Sequence, residues 1–265
     1  MPTFRDLPKD QLFFMPLGIG YAFTRRYYHT SFIVAVAGRV ILVDAPAPLR
    51  RIMGAAEARS GYSLDIDDID DIFLTHLHGD HCNGLEEVGF WRKFLRPNLS
   101  KPRLYLHESL RDPLWNGRLF AAMGCPLNPA PGSLPARLQD YFDTFGFRVD
   151  QPLDLGVPGL KIETRLTRHL VTCAAFRITW NGRVFGYSAD TAFDRSLVEF
   201  LTPCDTIIHE CGPGSGHTQL ETLMELPEPT RAKMYLTHLA DDYDVENSPI
   251  PCLEEGKLYE VGKRC

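Results

Sequence analysis

The chain has no excess of positive charge. It carries 28 Lys and Arg against 34 Asp and Glu, a formal net charge of −6, with a pI of about 5.8. Broad, phosphate-neutralising contact with nucleic acid is therefore not expected, although a local basic patch is compatible with that balance. Long hydrophobic runs are also missing. No uninterrupted apolar stretch approaches the roughly 18 residues that span a bilayer. The start, Met1-Pro2-Thr3-Phe4-Arg5-Asp6, has no basic segment leading into an apolar one, so no signal peptide is expected. The seven cysteines, at 82, 125, 173, 204, 211, 252 and 265, are scattered, odd in number and free of any C-x-x-C pair. That excludes a regular disulfide framework and points to a reduced, cytoplasmic protein. There is no internal repeat and no low-complexity tract. With 265 residues, 44% of them hydrophobic, the chain can bury a full core as a single domain, with or without a cap.

Histidine is concentrated. Three of nine fall in residues 75–81, Thr-His-Leu-His-Gly-Asp-His, just after the apolar run Ile72-Phe73-Leu74. Clustered imidazoles and a carboxylate suit a borderline-soft divalent cation. His76 and His78 are two apart, so an extended or turning backbone aims them the same way. Asp80 and His81 follow, where a helix can begin, and can face a second ion. Cys82 is read either as a further soft ligand or as a small buried residue at a helix start.

Around this segment the pattern alternates strands and helices. Residues 31–44 read as two strands about a Gly38-Arg39 turn, 48–60 as a helix, and 69–74 as a buried strand. Residues 84–95 read as a helix with Leu85, Val88, Phe90, Trp91, Phe94 and Leu95 on its apolar face. A short strand at 103–106 and a helix over about 108–123 come next. The Pro- and Gly-punctuated stretch to 158 reads as a cap or insertion, spanning about 119–158. Strands return at 161–166, 174–180 and 183–187, the last two joined by an Asn181-Gly182 hairpin turn. Helix 197–201, strand 205–209, helix 217–226 and strand 233–237 complete the order. Helices on the outer faces of two packed mixed sheets fit it. His169, Asp190 and His238 each follow a strand, so each is delivered to one rim of a sheet.

With those residues in place, the chain resembles the metallo-β-lactamase superfamily. The H-x-H-x-D-H motif is His76, His78, Asp80 and His81; the strand-end aspartate matches Asp44, and the later ligands match His169, Asp190 and His238. The resemblance covers roughly residues 15–245 of a single domain, 1–265. It implies an α/β fold, an αββα sandwich with the site on one edge of the two sheets. It also implies two divalent ions per chain, zinc first, with manganese or iron as alternatives. One ion would take His76, His78 and His169, and the other Asp80, His81 and His238. Asp190 would bridge them, with a hydroxide between the metals. Asp44 would orient a ligand or loop from behind.

The branch is narrowed by Ile207-Ile208-His209-Glu210-Cys211 and Gly216-His217-Thr218. They are similar to paired motifs of ribonuclease Z, in which a glutamate and a histidine help protonate a poor alkoxide leaving group. The catalytic set is then His217, Glu210 and Asp80, with His209 either a neighbour of the site or structural. The interval from His169 to Asp190 is too short for a tRNA-gripping arm. The spacing resembles the small cyclic phosphodiesterases of that branch, where homodimers are common. The expected substrate is a small phosphodiester or ester, with neither tRNA nor membrane as partner. Cations between Arg92 and Arg118 read either as a phosphate-steering patch or as a solvated helix face. Tyr27, Tyr28, His29 and Tyr243 are candidates for pocket walls. Two competing readings stay open. One is a lactonase or other ester or thioester hydrolase, with an acyl pocket from Phe120, Met123, Leu127, Leu134, Tyr141, Phe142 and Phe145. The other is a di-iron redox or oxygen-sensing protein on the same fold.

Overall fold

A computed structural model describes residues 1–125, 134–149 and 151–263. Two mixed sheets pack face to face. The larger contains β1 (Leu12–Gly18), β2 (Ser31–Val36), β3 (Arg39–Val43), β4 (Asp71–Leu74), β5 (Arg103–His107) and β6 (Asp143–Phe147), with β12 (Tyr259–Glu260) at the far edge. The smaller contains β7 (Lys161–Leu166), β8 (Ala174–Trp180), β9 (Arg183–Tyr187), β10 (Thr206–Glu210) and β11 (Met234–Thr237). Their orders are β12-β1-β2-β3-β4-β5-β6 and β11-β10-β9-β8-β7. In each sheet an antiparallel half joins a parallel half. The parallel sets are β3-β4-β5-β6 and β9-β10-β11.

The period-2 alternation of the strands divides their side chains between two cores. Phe14, Phe32, Val34, Val43 and Phe73 meet Phe176, Ile178, Phe185 and Tyr187 between the sheets. Met15, Leu17, Ile33, Leu42, Ile72 and Leu104 face the other way. There they bury helix α1 (Leu49–Ser60) through Leu49, Ile52, Met53 and Ala56, and helix α3 (Leu85–Phe90) through Leu85 and Val88. Helix Arg195–Leu201 covers the outer face of the second sheet with Leu197, Val198 and Leu201. Phe32 is the wedge of the sandwich: its ring meets those of Phe176, Phe185 and Tyr187, the last edge-on at 4.9 Å. Removing it as Phe32→Ala is expected to cost about 3–5 kcal/mol, read from the urea midpoint.

Several expectations shift by small amounts. The β2–β3 turn is Ala37-Gly38, both in the left-handed region, one residue earlier than expected. Arg39 instead closes the hairpin opposite Val36. The Asn181-Gly182 turn forms as read, with Trp180 opposite Arg183. Phe94 and Leu95 are exposed, because after Phe90 the helix widens into a π-turn, Trp91–Leu95, which rotates them off the apolar face. Asp143–Phe147, within the stretch read as an insertion, is an edge strand parallel to β5. Its signal is weak because only Phe147 of its residues is buried. The helix read over 217–226 is confined to Leu220–Met224, and His217 sits in the turn before it. Leu127 and Cys265 lie outside the described residues.

Candidate active site at the strand ends

Nearly every chemically suited side chain stands just beyond the C-terminal end of a parallel strand, where ligands gather in open α/β sheets. Asp44 follows β3, His76 and His78 follow β4, Asp190 follows β9, Glu210 ends β10 and His238 follows β11. His169 comes from the loop after β7, and Asp80 and His81 from the short helix α2 (Gly79–Cys82). Asp44, Ala189 and His238 have φ of 59°, 49° and 61°. Left-handed backbone costs a non-glycine residue on the order of 1 kcal/mol, and here it re-aims the chain at the rim of the sheets.

All seven expected ligands converge. His76, His78, His169 and Asp190 offer ligand atoms within 4.8 Å of one another, and so do Asp80, His81 and His238. Asp190 joins the two sets. Its Oδ2 is 3.7 Å from His76 Nε2, 3.8 Å from His169 Nε2 and 3.4 Å from His238 Nε2, and its Oδ1 is 3.5 Å from His81 Nε2. A third grouping brings His217 together with Asp190 and His238.

A cation fits this cluster. His76 Nε2, His81 Nε2, both ring nitrogens of His238 and Asp190 Oδ1 are buried with no hydrogen-bond partner among the described residues. A buried unpaired polar atom costs about 1–3 kcal/mol, so four of them gathered about Asp190, the Nε2 atoms of His76, His81 and His238 with Asp190 Oδ1 itself, call for a shared partner. The electrostatics agree. Burial pushes His76 well below its usual range and His238 down to about 4. Burial would raise Asp80 and Asp190, but the surrounding histidines hold both below the ordinary carboxylate range. His81 is opposed by burial yet raised, because Asp190 and Asp44 flank it. A field that draws a proton to a ring nitrogen also draws a divalent cation.

Behind the cluster a second set of bonds fixes ring orientation. His81 Nδ1 donates to Asp44 Oδ2 at 2.8 Å. The backbone N–H and hydroxyl of Thr75 also donate to Asp44, and that hydroxyl lies 2.9 Å from His76 Nδ1. Asp44 is thus the keystone behind two of the rings.

Glu210 and His217 meet as expected, His217 Nδ1 donating to Glu210 Oε1 at 3.1 Å. The Glu210 carboxylate is fully buried and also accepts the N–H groups of Thr191, at 2.8 Å, and Gly212, at 2.9 Å. Burial pushes Glu210 up to about 7, against the pull of His217. Burial lowers His217, but Glu210 outweighs it and raises the ring. His209 points elsewhere: it is buried, its Nδ1 donates to the Glu210 carbonyl at 2.7 Å, and burial holds it at about 4. Cys82 is buried with its thiol on the Leu77 carbonyl and pushed up to about 11, apart from the ligand groups.

The cluster floors a cavity of ≈ 540 Å³, whose walls include Phe23, His29, Asn83, Leu170 and His217. Among the pocket-wall candidates only His29 reaches it. Tyr27 and Tyr28 pack on the two cores, and Tyr243 bonds Ser248 beside a different hollow. Phe23, Asn83 and Leu170 were not legible in the sequence. No described residue of 119–147 lines this cavity. Of the described residues named for the acyl wall, Met123 and Phe142 are core, Leu134 and Tyr141 line a separate apolar hollow with Phe90 and Phe94, and Phe145 is exposed against Tyr105. The expected basic patch is mostly consumed. Arg92 is buried on the carbonyls of Ile66, Asp67, Ile69 and Ser100. Arg96 pairs with Asp67, Arg103 with Asp71 and Lys101 with Asp143. Arg118 alone of the group bonds a cavity residue, Asn83, at 2.9 Å.

An αββα sandwich with a His/Asp cluster at its strand ends defines a metal-dependent hydrolase of the metallo-β-lactamase fold. YhfI of Bacillus subtilis, a metallo-β-lactamase fold protein, superimposes with a TM-score of 0.74 at 18% identity, over 95% of this chain and 100% of that one. A diphosphatase of the PhnP family does so with a TM-score of 0.71 at 17% identity, over 94% and 98%. The chain belongs to the family described as anti-Pycsar protein Apyc1, whose model matches residues 12–256. An anti-Pycsar protein Apyc1 from Saccharibacillus brassicae is 32% identical over 256 residues, covering 92% of this chain and 98% of that protein. The chain is accordingly a metal-dependent phosphodiesterase. Among the described residues, no helix is long and apolar enough to cross a membrane.

Proposed function

We propose that this chain is a two-metal phosphodiesterase that opens the ring of a cyclic nucleotide by hydrolysis. The observation that carries the reading is the pair of ligand sets joined through Asp190 beneath a cavity that also presents the His217–Glu210 pair. Kinship with anti-Pycsar proteins, which degrade cyclic nucleotides, supports the cyclic substrate. His76, His78 and His169 would hold one ion, and Asp80, His81 and His238 the other, with Asp190 between. Zinc suits this donor set, and manganese and iron are compatible with it. When bound, two such ions supply an activated water and offset charge at phosphorus.

The protein's own groups do the rest. Asp44 and Thr75 lock the His81 and His76 rings so that Nε2 faces inward. His217 has its Nδ1 committed to Glu210, which leaves Nε2 as the proton-bearing atom turned to the cavity. That proton goes to the ester oxygen as its bond to phosphorus breaks, so the alkoxide leaves as a neutral hydroxyl. Glu210 is the positioning residue: the backbone N–H groups of Thr191, Gly212 and Thr218 hold it, and its Oε1 holds the His217 ring through Nδ1. The ester-hydrolase alternative loses its support, because no described residue named for an acyl pocket lines this cavity.

A panel of cyclic nucleotides, lactones and thioesters, each with and without chelator, tests the reading. Chelator-sensitive conversion of a cyclic nucleotide to the linear monophosphate is expected. Turnover confined to lactones or thioesters would overturn it.

A further inference from the structure

Phe23 is 80% exposed and Leu170 79%, yet both line the cavity above the His/Asp cluster. Isolated exposed apolar residues are ordinary on a surface. Two at the mouth of the one pocket that lies above the His/Asp cluster, from loops on different sheets, are not. Phe23 stands in the loop between β1 and β2, and Leu170 directly follows His169 in the loop between β7 and β8.

The loop that carries Phe23 is pinned along its length. Gly20 N–H donates to the Tyr28 carbonyl at 2.8 Å, Tyr21 N–H to Leu239 and Thr30 N–H to Gly20. Asp241, three residues after His238, gathers the tip: it accepts the Thr24 hydroxyl and the N–H groups of Arg25 and Arg26. A Cβ on Gly20 would lie 2.5 Å from the Thr24 side chain, so the loop closes tightly on itself. Tyr21 meets the Phe23 ring edge-on at 5.8 Å. The Phe23 ring is therefore held out at the mouth of the pocket by a loop hydrogen-bonded along its length, and among the described residues it is left largely uncovered, at 80% exposed.

We infer that Phe23, with Leu170, forms the platform on which the base of the bound nucleotide stacks, and that Asp241 positions it. The inference rests on the cyclic-nucleotide reading above. A phosphate at the metal cluster directs the rest of a nucleotide toward the cavity mouth, where an apolar ring face is the surface a base seeks. Stacking of one base on one aromatic side chain is worth about 1–3 kcal/mol and tolerates different bases. The platform therefore acts on substrate affinity and not on bond breaking.

The test compares Phe23→Ala, Phe23→Tyr and Asp241→Ala with the parent chain, metal-loaded, on a 3′,5′-cyclic nucleotide and on the same cyclic sugar phosphate without its base. Phe23→Ala is expected to raise KM for the nucleotide about tenfold, with kcat changed less than about twofold. Phe23→Tyr restores KM, and Asp241→Ala raises it with unchanged metal content. On the base-free compound the KM ratio of variant to parent falls to about one. An unchanged KM in Phe23→Ala, or an equal rise on both compounds, overturns the platform. A parent chain that cleaves no cyclic nucleotide overturns the reading beneath it, a separate and recognisable result.

Discussion

The floor and the mouth of the cavity are built on opposite principles. On the floor, His76, His81, Asp190 and His238 are buried, and their partners come from strand ends of both sheets. At the mouth, Phe23 and Leu170 are exposed and come from loops. The floor has charge, unpaired ring nitrogens and strained backbone at Asp44 and His238. The mouth has apolar faces and a loop pinned by backbone hydrogen bonds and by Asp241. On the proposed reading, chemistry belongs to the first region and substrate affinity to the second, so variants in the two should separate in kcat and KM.

The largest effect is expected at the centre of the floor. Asp190→Ala removes the group shared by both ligand sets and should lower kcat/KM by about 10³-fold or more, with metal lost in parallel. Retention of two metals and near-normal turnover would break the division at its root. His217→Ala comes next. It should lower kcat by about 10²-fold or more while metal content stays the same. If metal is lost with activity, His217 belongs to the ligand grouping it makes with Asp190 and His238. Asp44→Asn keeps the shape but weakens the brace on His81. Metal affinity is expected to fall about 10–100-fold in a chelator competition, with turnover restored at high metal. Smallest is Arg96→Ala, on a half-exposed pair with Asp67 remote from the cavity lining. It should change kcat/KM less than about twofold and stability by less than about 1 kcal/mol. A tenfold loss there would revive phosphate steering by the helix over 84–95.

The same contrast governs what could be read in advance. His76, His78, Asp80 and His81 were legible because short-range spacing alone puts metal-type donors together. His169, Asp190 and His238 were legible because each follows a strand whose alternation or apolar run is plain, and the sheets carry them to one rim. The sandwich itself followed from strands such as 161–166 and 174–180, whose bounds match the structure residue for residue. The mouth was not legible. Phe23 reads as one more aromatic beside Tyr21 and Tyr27, and the bonds that fix its loop come in part from residues remote in sequence, Leu239 and Asp241. Arg92 shows the reverse error: a cation that reads as solvent-facing is buried, because carbonyls distant in sequence satisfy it. Asp143–Phe147 was hidden for a related reason, since an edge strand with one buried residue leaves no alternation to read.

The central claim is a two-metal centre that serves a cyclic phosphodiester. Elemental analysis of the purified chain, paired with turnover of a cyclic nucleotide as metal is titrated back into chelated protein, tests it most directly. About two ions per chain are expected, with activity complete only when the second is bound. A single ion per chain with full activity, or no ion with undiminished activity, would contradict it.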